Sequence, residues 1–195
     1  HLSSEELRRA AEHAFLLHAA CAEPNLDACP RGVLHGDITD ENILVQEDVI
    51  VGVIDFGDTQ AGALVLDLAI SLAYALQRDG VGLQEASEIV SGYESIRPLE
   101  AVERRVLFPL LMARLATTVC IAAERQVEHP GHSTWFAHAD GAASMMHELA
   151  QISPAIAEQV LCGTKLNQSL DSMIERRSRI LGGSLSLSYS KPLHI

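Results

Sequence analysis

One short stretch of β-type sequence, residues 43–54, most restricts the folds that this chain can adopt. It contains two apolar runs, residues 43–45 and 49–54, separated by a polar turn at residues 46–48. Apolar runs of this length around a polar turn predict a β-hairpin. Residues 33–36 predict one further short strand before it, and we expect the β-rich part of the chain to end at residue 54.

Helical patterns flank this hairpin on both sides. Before it, five apolar residues recur at helical spacing in a predicted first helix that Ser3 and Glu6 would cap, namely Leu7, Ala11, Ala14, Leu17 and Cys21. After it, helices are predicted over residues 63–77, 83–96, 98–126, 135–151, 154–162 and 165–180. Pro98 is the predicted first residue of the third of these, and Pro109 is expected to kink it. The predicted fold class is therefore α+β and mostly helical.

Charge and cysteine content exclude several kinds of partner and location. The formal net charge is −12 and no run rich in Lys or Arg occurs, so we expect no nucleic-acid or membrane partner. No stretch approaches the ~20 uninterrupted apolar residues of a transmembrane helix. The four cysteines show neither CxxC spacing nor the density of a secreted disulfide scaffold. We therefore expect free thiols and a cytoplasmic location.

Two acidic motifs lie beside the predicted hairpin, HGDITDEN at residues 35–42 and IDFGD at residues 54–58. Phosphoryl transfer from ATP needs a carboxylate to take the proton of the attacking hydroxyl, and metal ions to bridge the phosphate oxygens. Asp37 is the candidate for the first task, whereas Asn42 and Asp55 offer the oxygen ligands that Mg²⁺ prefers. Strand pairing would bring Asn42 and Asp55 to the same end of the hairpin. The alternative is that Asp37 and Asp55 only cap turns beside glycines.

Together these motifs resemble the catalytic and metal motifs of the aminoglycoside phosphotransferase and choline kinase family, which shares the protein-kinase-like fold. The stretch HGDITDENILV…GVIDFGDTQAGALVLDLAI resembles the hydroxylysine kinase branch in particular. The resemblance implies ATP as phosphate donor, Mg²⁺ as cofactor, Asp37 as catalytic base, and Asn42 and Asp55 as metal ligands. It also implies four residues that support the catalytic loop, namely His35, Gly36, Gly57 and Asp67, the last by hydrogen bonds to that loop.

The acceptor is expected to be a small molecule rather than a protein. Gly36 stands where protein kinases carry an arginine, and no Ala-Pro-Glu sequence follows, so we expect no activation segment that senses phosphate. Asp40, Glu41 and Asp58 add negative charge beyond what the metal requires, which would attract a hydroxylated amine or amino acid. The alternative is a merely solvated acidic loop.

Three arginines, Arg104, Arg105 and Arg114, lie on the helix predicted over residues 98–126. One of them could contact a carboxylate or phosphate of the substrate. Arginine on an exposed helical face is the commoner case, because its long stem can cover apolar surface while the charge stays in water. The sequence leaves both interpretations open.

The other half of a kinase-like fold should bring a glycine-rich loop and a lysine to the phosphates. The lysines of this chain are Lys165 and Lys191, both far downstream of the acidic motifs. The resemblance therefore implies a carboxy-terminal lobe, residues 1–163, whose amino-terminal lobe is absent. We expect this lobe by itself to bind nucleotide poorly.

The end of the chain has a different pattern. Residues 181–195 alternate apolar and small polar residues after a pair of glycines, which is typical of a strand. Residues 176–195 are similar to the first segment of class III pyridoxal-phosphate aminotransferases, including phospholyases. This similarity implies a helical linker at residues 164–180 and a following domain from residue 181; an unrelated Ser-rich tail is the alternative. A second hypothesis of function is thus a catalytically silent kinase-like module fused to an aminotransferase or phospholyase.

Overall fold

The computed structural model of the chain describes residues 4–78, 80–129 and 137–163. Helices form most of the described residues, and four short strands lie between the first helix and the second. The elements are α1 (Ser4–Leu17), β1 (Arg31–Leu34), β2 (Ile43–Gln46), β3 (Val49–Val53), β4 (Gln60–Ala63), α2 (Val65–Ala75), α3 (Leu83–Ile96), α4 (Ala101–Glu128), α5 (Ala137–Leu149) and α6 (Pro154–Cys162). The mostly helical class is confirmed.

The predicted hairpin forms from β2 and β3, which pair antiparallel from Ile43 opposite Val53 to Gln46 opposite Val49. Its two turn residues, Glu47 and Asp48, have φ values of 47° and 66°. Positive φ at both central residues matches the right-handed twist of the strands, so it is favoured in two-residue hairpins even without glycine. The first acidic motif ends directly before β2 and the second begins directly after β3. Both motifs therefore meet at the open end of the hairpin.

The prediction that the β-rich part ends at residue 54 was wrong. Residues 60–63 form β4, which pairs antiparallel with β1 from Arg31 opposite Ala63 to Leu34 opposite Gln60. Its sequence, QAGA, lacks the β-branched and aromatic residues that mark a strand. Gly62 lies against the side chain of Leu34, where a Cβ atom would overlap Leu34 Cδ1. The small residues of β4 therefore let it approach β1. Backbone pairing with β1, rather than the β propensity of its own residues, makes this segment a strand.

Helix α4 is the centre of the hydrophobic core and packs against α1, α2, α5 and α6. Its buried apolar residues are Val106, Leu107, Phe108, Pro109, Leu110, Leu111, Met112, Leu115, Ala116 and Val119. Within the described ranges it is the one helix whose length and apolar composition would suffice to cross a membrane, and 56% of its most apolar window is buried within the fold. A helix that is apolar on most sides and packed by neighbours fits the core of a globular domain.

The start of α4 corrects a second prediction, because the helix begins at Ala101 rather than at Pro98. Glu100 caps it, and Glu103 accepts a hydrogen bond from the Glu100 backbone N–H at 3.0 Å. Glu103 is fully buried and also accepts two hydrogen bonds from Arg97 Nη2, at 2.9 and 3.0 Å. The hydrogen bond from the Glu100 backbone N–H to the Glu103 carboxylate fixes the first turn three residues after the proline. The helix continues through Pro109, and the kink there stays a prediction.

The last described helix is held by a cap and a cross-link. Ser153 Oγ accepts a hydrogen bond from the backbone N–H of Ile156, which is the role of an N-cap residue. Arg104 of α4 pairs with Glu94 of α3 and donates to the carbonyl oxygen of Cys162 at the end of α6. Arg104 is therefore a structural residue. The predictions made for Ser3, for the linker at residues 164–180 and for the tail at residues 181–195 fall outside the described residues.

Candidate active site

The loop that carries Asp37 is fixed by the carboxylate of Asp67, in the first turn of α2. The backbone N–H of His35 donates to Asp67 Oδ2 at 2.8 Å, and that of Gly36 donates to Oδ1 at 2.9 Å. Both hydrogen bonds are charge-assisted, which makes them stronger than neutral ones. A loop between β1 and the hairpin is thereby attached to a core helix.

The side chain of His35 connects this loop to the second acidic motif. His35 Nδ1 accepts the backbone N–H of Asp37 at 3.3 Å, so the proton of a neutral ring lies on Nε2, which faces the carbonyl oxygen of Ile54 at 2.9 Å. The ring centroid lies 4.7 Å from that of Phe56. His35 is buried, and its two nitrogens therefore hold the two motifs together.

Gly36 makes a second contact between the motifs. Its φ is +86°, and a Cβ atom at this position would overlap the carbonyl oxygen of Asp58. Both the left-handed backbone and the close approach require glycine. The arginine that protein kinases carry at this position would not fit here.

Asn42 orients the carboxylate of Asp37. Its amide Nδ2 donates to the backbone oxygen of Asp37 at 2.9 Å and to Asp37 Oδ2 at 3.1 Å. These bonds use the nitrogen of the Asn42 amide and not its oxygen Oδ1. Asn42 is buried, with 8% of its surface exposed, whereas 29% of the Asp37 side chain is accessible to solvent. A small molecule can therefore reach Asp37 while Asn42 holds it in place.

Asp55 lies at the same end of the hairpin as Asn42. The backbone N–H of Ile54 donates to the carbonyl oxygen of Asn42 at 3.0 Å, and Asp55 is the next residue. Asp55 has φ 62° and ψ 66°, a left-handed conformation that few residues other than glycine adopt. Gly57 faces it, and a Cβ there would lie 3.3 Å from Asp55 Oδ1. Asp55 therefore has a strained backbone conformation just after β3, and its carboxylate is exposed.

The donor set of this end of the hairpin fits Mg²⁺. Asn42 Oδ1 is a neutral oxygen and the Asp55 carboxylate an anionic one, and Mg²⁺ takes one or two such ligands together with water and substrate phosphates. Asp55 is exposed, so its neighbourhood has room for water and phosphate. No group of three or more His, Cys, Asp or Glu side chains is placed to hold a metal ion among the residues that the structure describes. Asn42 and Asp55 are therefore the two candidate ligands that this end of the hairpin offers, and their role stays a prediction.

The predicted acidic surplus around the site is smaller than the sequence implies. Asp40 forms an ion pair with Arg78, and each side chain is 21% exposed. Burial lowers the pKa of the Arg78 guanidinium, which nevertheless stays charged near neutral pH. Glu41 and Asp58 are exposed. The charge of Asp40 is matched by Arg78, and those of Glu41 and Asp58 face solvent.

Arg114 is one of the three arginines for which the sequence left a substrate contact open, and the structure places it beside the candidate base. Its Nη2 lies 3.5 Å from Asp37 Oδ1 and 3.2 Å from the Tyr74 hydroxyl, and its guanidinium carbon lies 5.5 Å from the centroid of the Tyr74 ring. Its Nε is buried without a hydrogen-bond partner. Arg114 interrupts an otherwise apolar run, LLMARLA, on the central helix. A charge within a buried helical stripe is the signal that could have identified it.

Comparison with known proteins identifies the family of this chain. A sequence model of the phosphotransferase enzyme family (APH) matches residues 1–99, a segment that contains both acidic motifs and Asp67. The chain belongs to this family. The family predicted from the two motifs is therefore confirmed.

Curated relatives of this chain are named hydroxylysine kinase and homoserine kinase. Hydroxylysine kinase of Mus musculus is 38% identical over 98 residues, which cover 46% of this chain and 26% of that protein. Hydroxylysine kinase of Danio rerio is 31% identical over 112 residues, 55% of this chain and 32% of that protein. Homoserine kinase of Gluconacetobacter diazotrophicus is 38% identical over 108 residues, 52% of this chain and 33% of that protein. The chain spans about a third of the length of these relatives or less.

Proposed function

We propose that this chain supplies the catalytic base and the metal ligands of a kinase that transfers the terminal phosphate of ATP to the hydroxyl group of a small, amine-bearing molecule. One observation carries the proposal. Asp37, Asn42 and the backbone next to Asp55 form one continuous set of contacts at the open end of the hairpin. Phosphoryl transfer needs these groups together, because the base and the phosphate-bridging metal act on neighbouring oxygens.

In this mechanism Asp37 accepts the proton of the acceptor hydroxyl as the hydroxyl oxygen attacks the terminal phosphorus of ATP, while the bond from that phosphorus to the bridging oxygen breaks and ADP leaves. Asn42 fixes the rotation of the Asp37 carboxylate through Oδ2, so that Oδ1, which lies 3.5 Å from Arg114 Nη2, is the oxygen proposed to face the acceptor. Asp67 and His35 keep the loop in position, which preserves the alignment of base and acceptor. Asn42 Oδ1 and the Asp55 carboxylate would hold Mg²⁺, which when bound neutralises charge on the phosphates of ATP.

The acceptor class follows from the charges and from the relatives. Hydroxylysine and homoserine both carry a hydroxyl and an amine, and relatives of this chain are named for kinases of each. Glu41 and Asp58 are exposed acidic residues close in sequence to the candidate base and metal ligands, and they favour an amine. The glycine-rich loop and lysine expected for an ATP clamp would come from further polypeptide of the full-length protein.

Replacing Asp37 by Asn in the full-length protein tests the proposal. Asparagine keeps the size of the side chain but cannot accept the hydroxyl proton, so we expect kcat to fall by about 10²–10⁴-fold. The measurement is phosphate transfer from labelled ATP to hydroxylysine and homoserine. Asp48→Asn is the matched control, since Asp48 lies at the turn end of the hairpin and asparagine tolerates its positive φ.

The two hypotheses of function make opposite predictions for this pair of variants. A kinase loses transfer with Asp37→Asn and keeps it with Asp48→Asn. A catalytically silent module fused to another enzyme would leave the activity of the full-length protein unchanged in both. Unchanged phosphate transfer in Asp37→Asn would exclude Asp37 as the base.

A further inference from the structure

We propose that Arg114 binds the carboxylate of the acceptor, so that the enzyme selects hydroxy amino acids over hydroxylated amines that lack a carboxylate. The inference rests on the function proposed above and adds a specificity-determining residue to it. Arg114 belongs to the central helix α4 and lies outside both acidic motifs and the hairpin.

The position of Arg114 relative to Asp37 is the first observation. The two oxygens of the Asp37 carboxylate face different partners, since Oδ2 accepts from Asn42 and Oδ1 lies 3.5 Å from Arg114 Nη2. Asn42 marks the side on which metal and phosphate are proposed to bind. Arg114 therefore lies on the acceptor side of the base, where the body of a molecule whose hydroxyl contacts Oδ1 must lie.

The partners of Arg114 are the second observation. Its Nη2 is the nitrogen that contacts both Asp37 and the Tyr74 hydroxyl, and its Nε is buried without a partner. The Arg114 side chain is 30% exposed, so part of the guanidinium can be reached from the cleft. Buried polar groups in native proteins are normally paired, and one left over next to a candidate base calls for an explanation. A substrate carboxylate would supply that explanation. After a small rotation of the Arg114 side chain, the carboxylate could accept hydrogen bonds from two guanidinium nitrogens.

Support from Tyr74 is the third observation. Arg114 is stacked near the Tyr74 ring and hydrogen-bonded to its hydroxyl, and these residues lie on two packed helices, α4 and α2. A planar guanidinium held in this way loses little further freedom when it binds a carboxylate. An amino acid offers groups for both sides of the cleft, because its carboxylate suits Arg114 and its ammonium group suits the acidic residues.

The experiment compares hydroxylysine with its carboxamide, which has the same hydroxyl and amines but no carboxylate, in the full-length protein. In the wild type we expect the KM for hydroxylysine to be lower than that for the carboxamide. In Arg114→Gln the KM for hydroxylysine should rise about tenfold or more, whereas that for the carboxamide should change less than about twofold. In Arg114→Lys, which keeps the charge but loses the forked guanidinium, the KM for hydroxylysine should lie between those of the wild type and Arg114→Gln. Arg105→Gln, an exposed arginine of the same helix, should match the wild type.

KM values separate binding from misfolding, because a partly unfolded preparation lowers the apparent kcat but not KM. An equal rise of both KM values in Arg114→Gln would overturn the inference, since Arg114 would then act through Asp37 or the phosphate. A wild-type enzyme that phosphorylates the carboxamide as well as hydroxylysine would also overturn it and leave the proposed function intact. A full-length protein that transfers phosphate to no hydroxylated amine would overturn both proposals.

Discussion

At the scale of single residues, two left-handed backbone positions shape the site. Gly36 has φ +86° and lies against the carbonyl oxygen of Asp58, whereas Asp55 has φ 62° although it carries a side chain. Residues other than glycine in this region cost about 1–2 kcal/mol. Such strain persists where surrounding contacts enforce it and is frequent at functional sites. Here the contacts are the hydrogen bonds of His35 and Asn42 on either side of Ile54.

Gly36→Ala tests whether the contact between the two acidic motifs depends on glycine. Gly80→Ala is the matched control, because Gly80 also has a positive φ of +76° but no heavy atom within 4 Å of an added Cβ. Both variants place alanine at a positive φ and are strained for that reason. Only Gly36→Ala adds an overlap with Asp58. We expect the free energy of unfolding to fall by about 1–3 kcal/mol more in Gly36→Ala than in Gly80→Ala, as measured by urea denaturation. Equal losses would show that the two loops can separate without cost.

At the scale of elements, helix α2 acts as the anchor of the loop between β1 and the hairpin. Asp67 accepts two backbone N–H groups of that loop, and Ser71 Oγ, one turn later, donates to the carbonyl oxygen of Ile38 at 3.0 Å. Leu68, Ala69 and Leu72 of the same helix are buried in the core. The candidate base is therefore fixed through a core helix rather than by the loop itself.

Asp67→Asn tests this anchoring. Asparagine has one acceptor oxygen, and its amide group would face a backbone N–H, so at least one charge-assisted bond is lost. We expect the free energy of unfolding to fall by about 2 kcal/mol, with a parallel loss of kcat. Asp140→Asn is the control, since Asp140 is an exposed carboxylate in the first turn of α5 and has the same relation to a helix dipole. That variant should lose about 0.3–1 kcal/mol at most and keep its kcat. Equal effects in the two variants would mean that Asp67 acts only on its helix.

At the scale of the whole molecule, the hairpin exposes apolar side chains on both faces. Val49, Ile50 and Val51 are 61%, 54% and 59% exposed. Contiguous apolar surface of this kind normally marks an interface. The relatives are about three times as long as the matched segments, and we expect further polypeptide of the full-length protein to cover this hairpin.

The double substitution Val49→Lys with Val51→Lys tests that expectation. In the 195-residue chain it should reduce self-association, because charged residues oppose contact between exposed strands. In the full-length protein it should instead lower the melting temperature and weaken ATP binding. Light scattering and calorimetry would measure the two effects. Ile96→Lys, at an isolated apolar residue that is 89% exposed, should change neither. A full-length protein that tolerates both lysines would show that the hairpin stays uncovered.

The sequence by itself determined the features that depend on neighbouring residues. Helical spacing located α3 and α6 within one residue, and two apolar runs around a polar turn located the hairpin. The two acidic motifs identified the family because their residue types and order are unusual. Each of these signals lies within a short window, where side-chain period and turn chemistry act directly on the backbone.

Only the tertiary structure decided which distant residues meet. The strand β4 exists because β1 lies beside it, Asp40 is matched by Arg78, and Arg114 reaches Asp37 from 77 positions away along the chain. None of these contacts follows from a local pattern, since each joins residues that lie far apart in the sequence. The role of Asp37 in catalysis is a prediction that Asp37→Asn tests, and the roles of Asn42 and Asp55 as metal ligands stay predictions. The family was therefore readable from the motifs, whereas the contacts around the candidate base came from packing.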